Sequence, residues 1–295
     1  MTTNTLTSLP IRNRAPWYFT AARRMVRKGW RGAYRFRDLL RDMGLLNCVV
    51  RYALAPKVSM LVPIFRAENE YILQDIWDYE RTLLELVTQK LRAWDNPVIC
   101  CDCGADIGIF SLVMAARCSA IEQIVAFEPN SAAFHYLKQN LEALVISARP
   151  INSAVGRFKG RGRLRIPDYD SSDHAAYMEP AEDGAIDILR VDDLGLDQSR
   201  TLLLKIDVEG SELDVINGAR NTLVGCQHFV MTIEACRDVV RRTRVDVCDI
   251  ANVVRSIRPC EILVAEAPRQ ALDLNRPFFE QFTQRRVYNL VLSSA

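Results

Sequence analysis

The stretch 97–111, Pro-Val-Ile-Cys-Cys-Asp-Cys-Gly-Ala-Asp-Ile-Gly-Ile-Phe-Ser, constrains the fold more than any other. It opens as a short apolar run, the pattern of a buried strand. It then passes Gly104 and Gly108 and continues as an apolar, Ala-rich helix over 108–117. A strand that feeds a helix through a glycine turn is the first unit of a nucleotide-type α/β sheet. Gly104 suits a backbone angle that a side chain resists, and it lets a ligand approach the backbone. The helix N-terminus points free N–H groups at whatever sits above the strand.

The charges around this turn restrict the ligand. A dinucleotide site wants G-x-G-x-x-G, with glycine where the pyrophosphate lies. Here Asp106 stands at the would-be second glycine and Asp102 just before the turn. Two carboxylates so placed repel a pyrophosphate and suit a cation, and S-adenosylmethionine carries a sulfonium, an ammonium and no phosphate. A second apolar run, 123–127, leads into Glu128-Pro129-Asn130. An acid at the tip of the second strand is placed to take both hydroxyls of a ribose.

Three segments resemble the FkbM-type methyltransferases: Cys101-Asp102-Cys103-Gly104-Ala105-Asp106-Ile107-Gly108, Ala126-Phe127-Glu128-Pro129-Asn130, and Leu204-Lys205-Ile206-Asp207-Val208-Glu209-Gly210-Ser211-Glu212. The resemblance covers about Lys57 to the C-terminus, and its third segment is the most specific. It implies S-adenosylmethionine as cofactor and, for most members, methylation of oxygen. It implies cofactor contacts from Asp102, Gly104, Ala105, Asp106, Gly108, Ser111, Glu128, Pro129 and Asn130, from Ser153 and Ala154 near the third strand, and from Asp207. It also places Lys205, Asp207 and Glu209 near the active site. The family's first segment usually reads D-V-G-A-N-I-G. Cys103 and Asp106 depart from it, and Asp106 adds a charge where the amino-acid end of the cofactor would lie.

Strands alternating with helices along the chain predict an α/β fold: a Rossmann-like, doubly wound, mostly parallel sheet. Strands are expected at 97–103, 123–127, 151–155, 201–206, 229–233, 261–265 and 287–292. No helical pattern separates the last two, so they form a hairpin and the final strand runs antiparallel. Helices are expected at 131–143, with Asn130 as N-cap, at 211–223 and at 246–257. A hairpin at 163–166 and a polar loop at 168–174 follow the third strand. The expected organisation is a basic, partly helical extension over 1–56 and a methyltransferase domain over 57–295. That domain divides into a strand-and-helix cap, 57–96, with its helix at 71–94, and the Rossmann-like core, 97–295.

Ligands in such sheets bind beyond the carboxyl ends of the strands, where Asp102, Glu128, Asp207 and Glu234 are all expected. Methylating a hydroxyl calls for a base, and His174, Asp207 and Glu234 are the candidates. Lys205, Asp207 and Glu209 alternate onto one side if their strand continues that far. A buried structural ion pair is the competing reading of Lys205. Asp207, Glu209 and Glu234 could also hold Mg²⁺, although their spacing does not require a metal. Cys100-Cys101-x-Cys103 is no zinc set, since strand neighbours face opposite ways. His135 and His228 are read as structural.

The net charge of +2 conceals an asymmetry. Residues 1–41 hold ten Lys/Arg against one acid, and the remainder carries −7. From Trp17 to Met43, Tyr18, Ala22, Met25, Ala33, Phe36, Leu40 and Met43 keep a helical stripe, with a break expected at Gly29 and Gly32. Three readings stay open: a helix packed on the domain, a helix lying on anionic lipid, or a targeting segment. No apolar run approaches the roughly 18 residues of a membrane span. Nine cysteines without framework spacing fit a reducing compartment, so a cytoplasmic protein is expected, peripheral at the inner membrane face on the lipid reading. The expected partner is a small-molecule or glycan acceptor and not a nucleic acid. The function expected is S-adenosylmethionine-dependent O-methylation of a glycan, lipid-linked sugar or secondary metabolite. A non-catalytic binding module of the same fold is the alternative, and an NAD-type oxidoreductase is disfavoured by Asp106.

Overall fold

The computed structural model describes residues 9–56, 58–64, 79–167 and 176–294. Strand β1 (Ile11–Arg12) leads into helices α1 (Trp17–Arg27) and α2 (Ala33–Asp42), which are separated at Gly29 and Gly32 as expected. Their inner face, Phe19, Ala22, Ala33 and Leu40, is buried. Phe19, Ala22 and Leu40 join one cluster with Leu46, Val62 and Phe110. The stripe read from the sequence is therefore mostly the packed side; Met43 is exposed, and Met25 lines an open hollow beside Trp17 and Trp30.

Strands β2 (Val49–Ala55) and β3 (Val58–Pro63) form an antiparallel hairpin, with β1 parallel to β2. The boundary expected at 56/57 falls in the turn of that hairpin, so the extension and the cap share one small sheet. Asn140 pins the hairpin to the core: its amide exchanges hydrogen bonds with Leu61 N (2.7 Å) and O (3.1 Å) and donates to Ile107 O at 2.8 Å. Of the helix expected at 71–94, the described part is α3 (Arg81–Leu91). Ile72 and Ile76 lie outside the described residues.

The core follows as β4 (Val98–Cys103), α4 (Ile109–Arg117), β5 (Ile121–Phe127), α5 (Ser131–Glu142) and β6 (Ser147–Ile151). A second small sheet is built from β7 (Ala154–Val155), β8 (Gly160–Arg165), β9 (Tyr177–Pro180) and β10 (Ile186–Leu189), in the order β7-β10-β8-β9. It replaces the single hairpin expected at 163–166. The chain returns to the core through β11 (Thr201–Ile206), α6 (Glu212–Gly218), α7 (Arg220–Gly225), β12 (His228–Cys236), α8 (Arg237–Thr243), α9 (Val247–Ile257), β13 (Cys260–Val264), α10 (Phe278–Gln281) and β14 (Val287–Ser294).

The main sheet has seven strands in the order β13-β14-β12-β11-β4-β5-β6. β4, β5, β6, β11 and β12 run parallel, and β14 lies antiparallel between β12 and β13. This is the doubly wound sheet with an antiparallel last strand that the sequence predicts. Every residue of β4 and of β11 is buried, as continuous apolar runs in a parallel centre require. Strand order reverses between β4 and β11, so the ligand crevice of this topology lies at their carboxyl ends.

Two expectations are corrected. The third strand is β6, 147–151, and not 151–155. Glu234 lies inside β12, two residues before its end, because β14 pairs along it from Val230 to Cys236. The polar loop at 168–174, with His174, lies outside the described residues. All nine cysteines are free thiols, and Cys100, Cys101 and Cys103 are buried within β4.

Candidate functional site

The glycine turn at the carboxyl end of β4 is the first half of the site. Gly104 has φ +81°, and a Cβ there would stand 1.8 Å from the carbonyl oxygen of Asp207. Glycine is thus required to admit the end of β11. Gly108 has φ +89°, and its added Cβ would meet Leu137 of α5 at 2.9 Å. Gly104 and Ala105 both donate their N–H to Phe127 O, at 3.1 and 2.9 Å. Ala105 is buried, and Asp106, itself left-handed at φ +47°, is partly exposed.

Glu128 ends β5 and ties this turn to the next helix. One carboxylate oxygen accepts the N–H of Asp106 at 2.8 Å and the other that of Asn130 at 2.7 Å. Asn130 in turn caps α5 by accepting from Ala132 N at 3.0 Å. These two bonds fix the carboxylate at the corner between the glycine turn and the next helix. Asn152, which the sequence reading passed over, donates to the carbonyls of Glu128 (2.8 Å) and Pro129 (3.3 Å) and so fixes the same corner. Ser153 is buried and its Oγ has no hydrogen-bond partner among the described residues. Such an orphan is costly, and a ligand that reaches it recovers part of the cost. Ala154 is buried in the second sheet, paired with Ile188, and offers no polar side chain.

Lys205 joins the two halves. It lies opposite Asp102 in the β4–β11 register. Its Nζ donates to Gly104 O at 2.9 Å and to Asp207 Oδ2 at 3.0 Å, and stands 3.5 Å from Asp102 Oδ1. Burial alone would lower its pKa, but the Asp207 and Asp102 carboxylates more than offset that and hold it above the ordinary lysine value. Lys205 therefore stays charged and positions its neighbours. Asp102 and Ser111 are both fully buried. Asp102 is 0% exposed, and its Oδ2 accepts from Ser111 Oγ at 2.6 Å beneath the turn.

Beyond β11 the strand does not continue, since Glu209 is left-handed at φ +50°. The turn nevertheless brings carboxylate oxygens of Asp207, Glu209 and Glu234 within 4.8 Å of one another. Three converging oxygens could hold a hard divalent cation. Burial, and then Asp207, Glu209 and Glu80, push the Glu234 carboxyl well above the usual range, so a proton on Glu234 relieves the repulsion. Arg242, on α8, donates to Glu209 O and lies 3.9 Å from the Tyr177 ring, which docks the second sheet against this turn.

Glu80 is the site residue that the sequence did not reveal. It precedes α3 in a left-handed conformation, φ 38° and ψ 39°, and makes no capping bond to its own helix. Its Oε1 lies 3.4 Å from Asn289 Nδ2 on β14, the residue paired with Glu234. Burial raises its pKa to about 7, with Lys205 opposing and Asp207 adding to the rise. Asn289 is shared with Glu266, which accepts its Nδ2 at 3.0 Å and its N–H at 2.9 Å.

The site thus pairs a nucleoside-type corner, made by Glu128, Asn130 and the turn, with an acid cluster around Lys205 and Asp207. Residues 102–250, just over half of the chain, match the family described as Methyltransferase FkbM domain. The match is narrower than the 57–295 span read from the sequence. Among solved structures, the chain is similar to the methyltransferase FkbM from Methylobacillus flagellatus KT, at 19% identity and TM-score 0.41, over 88% of this chain and 60% of that one. It is similar to the tRNA (uracil-54, C5)-methyltransferase of Pyrococcus abyssi in complex with S-adenosyl-L-homocysteine, at 14% identity and TM-score 0.40, over 84% of this chain and 44% of that one. It is also similar to the N-methyltransferase NodS from Bradyrhizobium japonicum WM9, at 9% identity and TM-score 0.41, over 75% of this chain and 97% of that one. The chain thus spans less than two thirds of the length of the first two. No curated protein matches it. On the family match across residues 102–250, the chain belongs to the FkbM methyltransferase domain family.

Proposed function

We propose that this chain is an S-adenosylmethionine-dependent O-methyltransferase acting on a hydroxyl of a glycan, a lipid-linked sugar or a secondary metabolite. The observation that carries the reading is the convergence of the Asp207, Glu209 and Glu234 carboxylates beside the Lys205–Asp207 pair at the switch point of the sheet. The cofactor would supply an electrophilic methyl group on a sulfonium. The residues present fit it: Glu128 is fixed at the tip of the second strand, where a ribose would lie, and the surrounding acids favour a cation over a pyrophosphate.

A hydroxyl is a poor nucleophile until a base takes its proton. Glu80, with a pKa near 7, is half ionised at neutral pH and takes that proton. Asp207 is one-third exposed and held by Lys205, so it orients the acceptor hydroxyl. Burial and its acidic neighbours push the Glu234 carboxyl up, which makes it a weaker candidate for holding charge than Asp207.

The test is transfer of labelled methyl from S-adenosylmethionine to a panel of glycans, lipid-linked sugars and hydroxylated metabolites, run beside amines and carbon acids. Label in a base-stable ether is the expected result. Label accepted only by amines or carbon acids would overturn O-methylation.

A further inference from the structure

We infer that helices α1 and α2 form a docking surface for an anionic lipid bilayer. Five large hydrophobic side chains in this segment face water: Trp17 is 78% exposed, Trp30 56%, Tyr34 52%, Leu39 54% and Met43 62%. The inner face of the same helices is already packed on the domain, so these residues are a second set outside that packed face. Trp17, Ala21, Met25 and Trp30 line an open hollow together with Thr20, Arg24 and Lys28. On α2, Leu39 and Met43 are four residues apart and share a face.

Charge decides the occupant. Residues 1–41 carry +9 while the rest of the chain carries −7. An anionic surface attracts the extension and repels the remainder, which sets one orientation. Each basic residue close to such a surface strengthens binding by about fivefold. Indole rings settle at the headgroup level, where an apolar body and a polar N–H are both accommodated. Exposed Leu39 and Met43 gain from an acyl boundary and nothing from stacking on bases, which favours lipid over nucleic acid. None of the helices searched among the described residues is long and apolar enough to cross a membrane, so the contact is peripheral.

Flotation of the full-length protein with vesicles tests this. At low salt the protein should float with phosphatidylcholine–phosphatidylglycerol vesicles and stay behind with phosphatidylcholine alone. The double variant Trp17→Ala/Trp30→Ala should weaken partition by about tenfold or more, and Arg24→Glu/Arg31→Glu likewise. Both pairs are surface residues outside the site, so thermal midpoint and affinity for S-adenosylhomocysteine should not change. No flotation at low salt overturns the inference. So does a tryptophan variant that floats like wild type, a DNA oligonucleotide that binds more tightly than the vesicles, or self-association that hides the two tryptophans.

Discussion

Replacing Lys205 with methionine is expected to destabilise the protein by about 3–5 kcal/mol, the cost of breaking a buried ion pair from one side. Lys205 lies between two carboxylates, 3.5 Å from Asp102 Oδ1 and 3.0 Å from Asp207 Oδ2. Asp207 is partly exposed and can recover water. Asp102 cannot: it is fully buried, and its Oδ1 has no hydrogen-bond partner among the described residues. Methionine fills the volume but leaves that charge alone, so the loss of pairing outweighs the relief of desolvating one cation. Adding Asp102→Asn should recover at least half of the loss, because the charge left stranded is then gone. Urea unfolding midpoints of the two single variants and the double variant measure this coupling. A Lys205→Met midpoint within about 0.5 kcal/mol of wild type would show that the pair behaves like a surface salt bridge.

Glu80→Gln is expected to lower the turnover number by a factor of about 10²–10⁴, the usual contribution of a general base. Wild-type turnover should rise with pH through about 7 and then level, because Glu80 must be ionised to accept the proton. The variant should lose that limb while keeping its affinity for S-adenosylhomocysteine. Stability should move the other way. The folded pKa of Glu80, about 7, lies above its ordinary value of 4.5. The folded state therefore binds the proton more tightly. The resulting stabilisation is complete below the unfolded pKa and fades as pH rises through about 7, a change of up to about 3 kcal/mol. Glutamine cannot ionise, so the variant should be more stable than wild type at pH 8 and similar at pH 4. A pH–rate profile unchanged by the substitution would remove Glu80 as the base.

The central unit was legible because its signals are local. Continuous apolar runs mark β4 and β11, and the glycine turn and Asn130 cap mark the helices beside them. Edge elements were not. β6 reads Ser-Ala-Arg-Pro-Ile, a polar strand with a proline, which only a sheet edge tolerates, so its apolar neighbour at 151–155 drew the assignment. Strand β12 runs past Glu234 because β14 pairs with it, and a contact across more than fifty residues leaves no local trace. Glu80 was invisible for the same reason. It gains its role from a left-handed turn and from burial against β11 and β14, neither of which a glutamate in a helical pattern announces. In the N-terminal helices periodicity found the packed stripe, but exposure of Trp17 and Trp30 follows only from the packing itself.

The central claim is that the corner made by Glu128 and the glycine turn binds the nucleoside of S-adenosylmethionine. Calorimetric titration with S-adenosylhomocysteine tests it most directly, with NADH as the competing ligand. On the proposed reading Glu128 would meet the ribose in ground and transition states alike, so its loss should appear in affinity. Glu128→Ala removes a charge-assisted acceptor, whose loss is expected to cost about 1.5–3 kcal/mol, or roughly ten- to hundredfold in affinity. The predicted result is saturable binding of S-adenosylhomocysteine by wild type, weakened by that factor in Glu128→Ala, with no heat from NADH. Binding of NADH but not of S-adenosylhomocysteine, or an unweakened Glu128→Ala, would contradict the account.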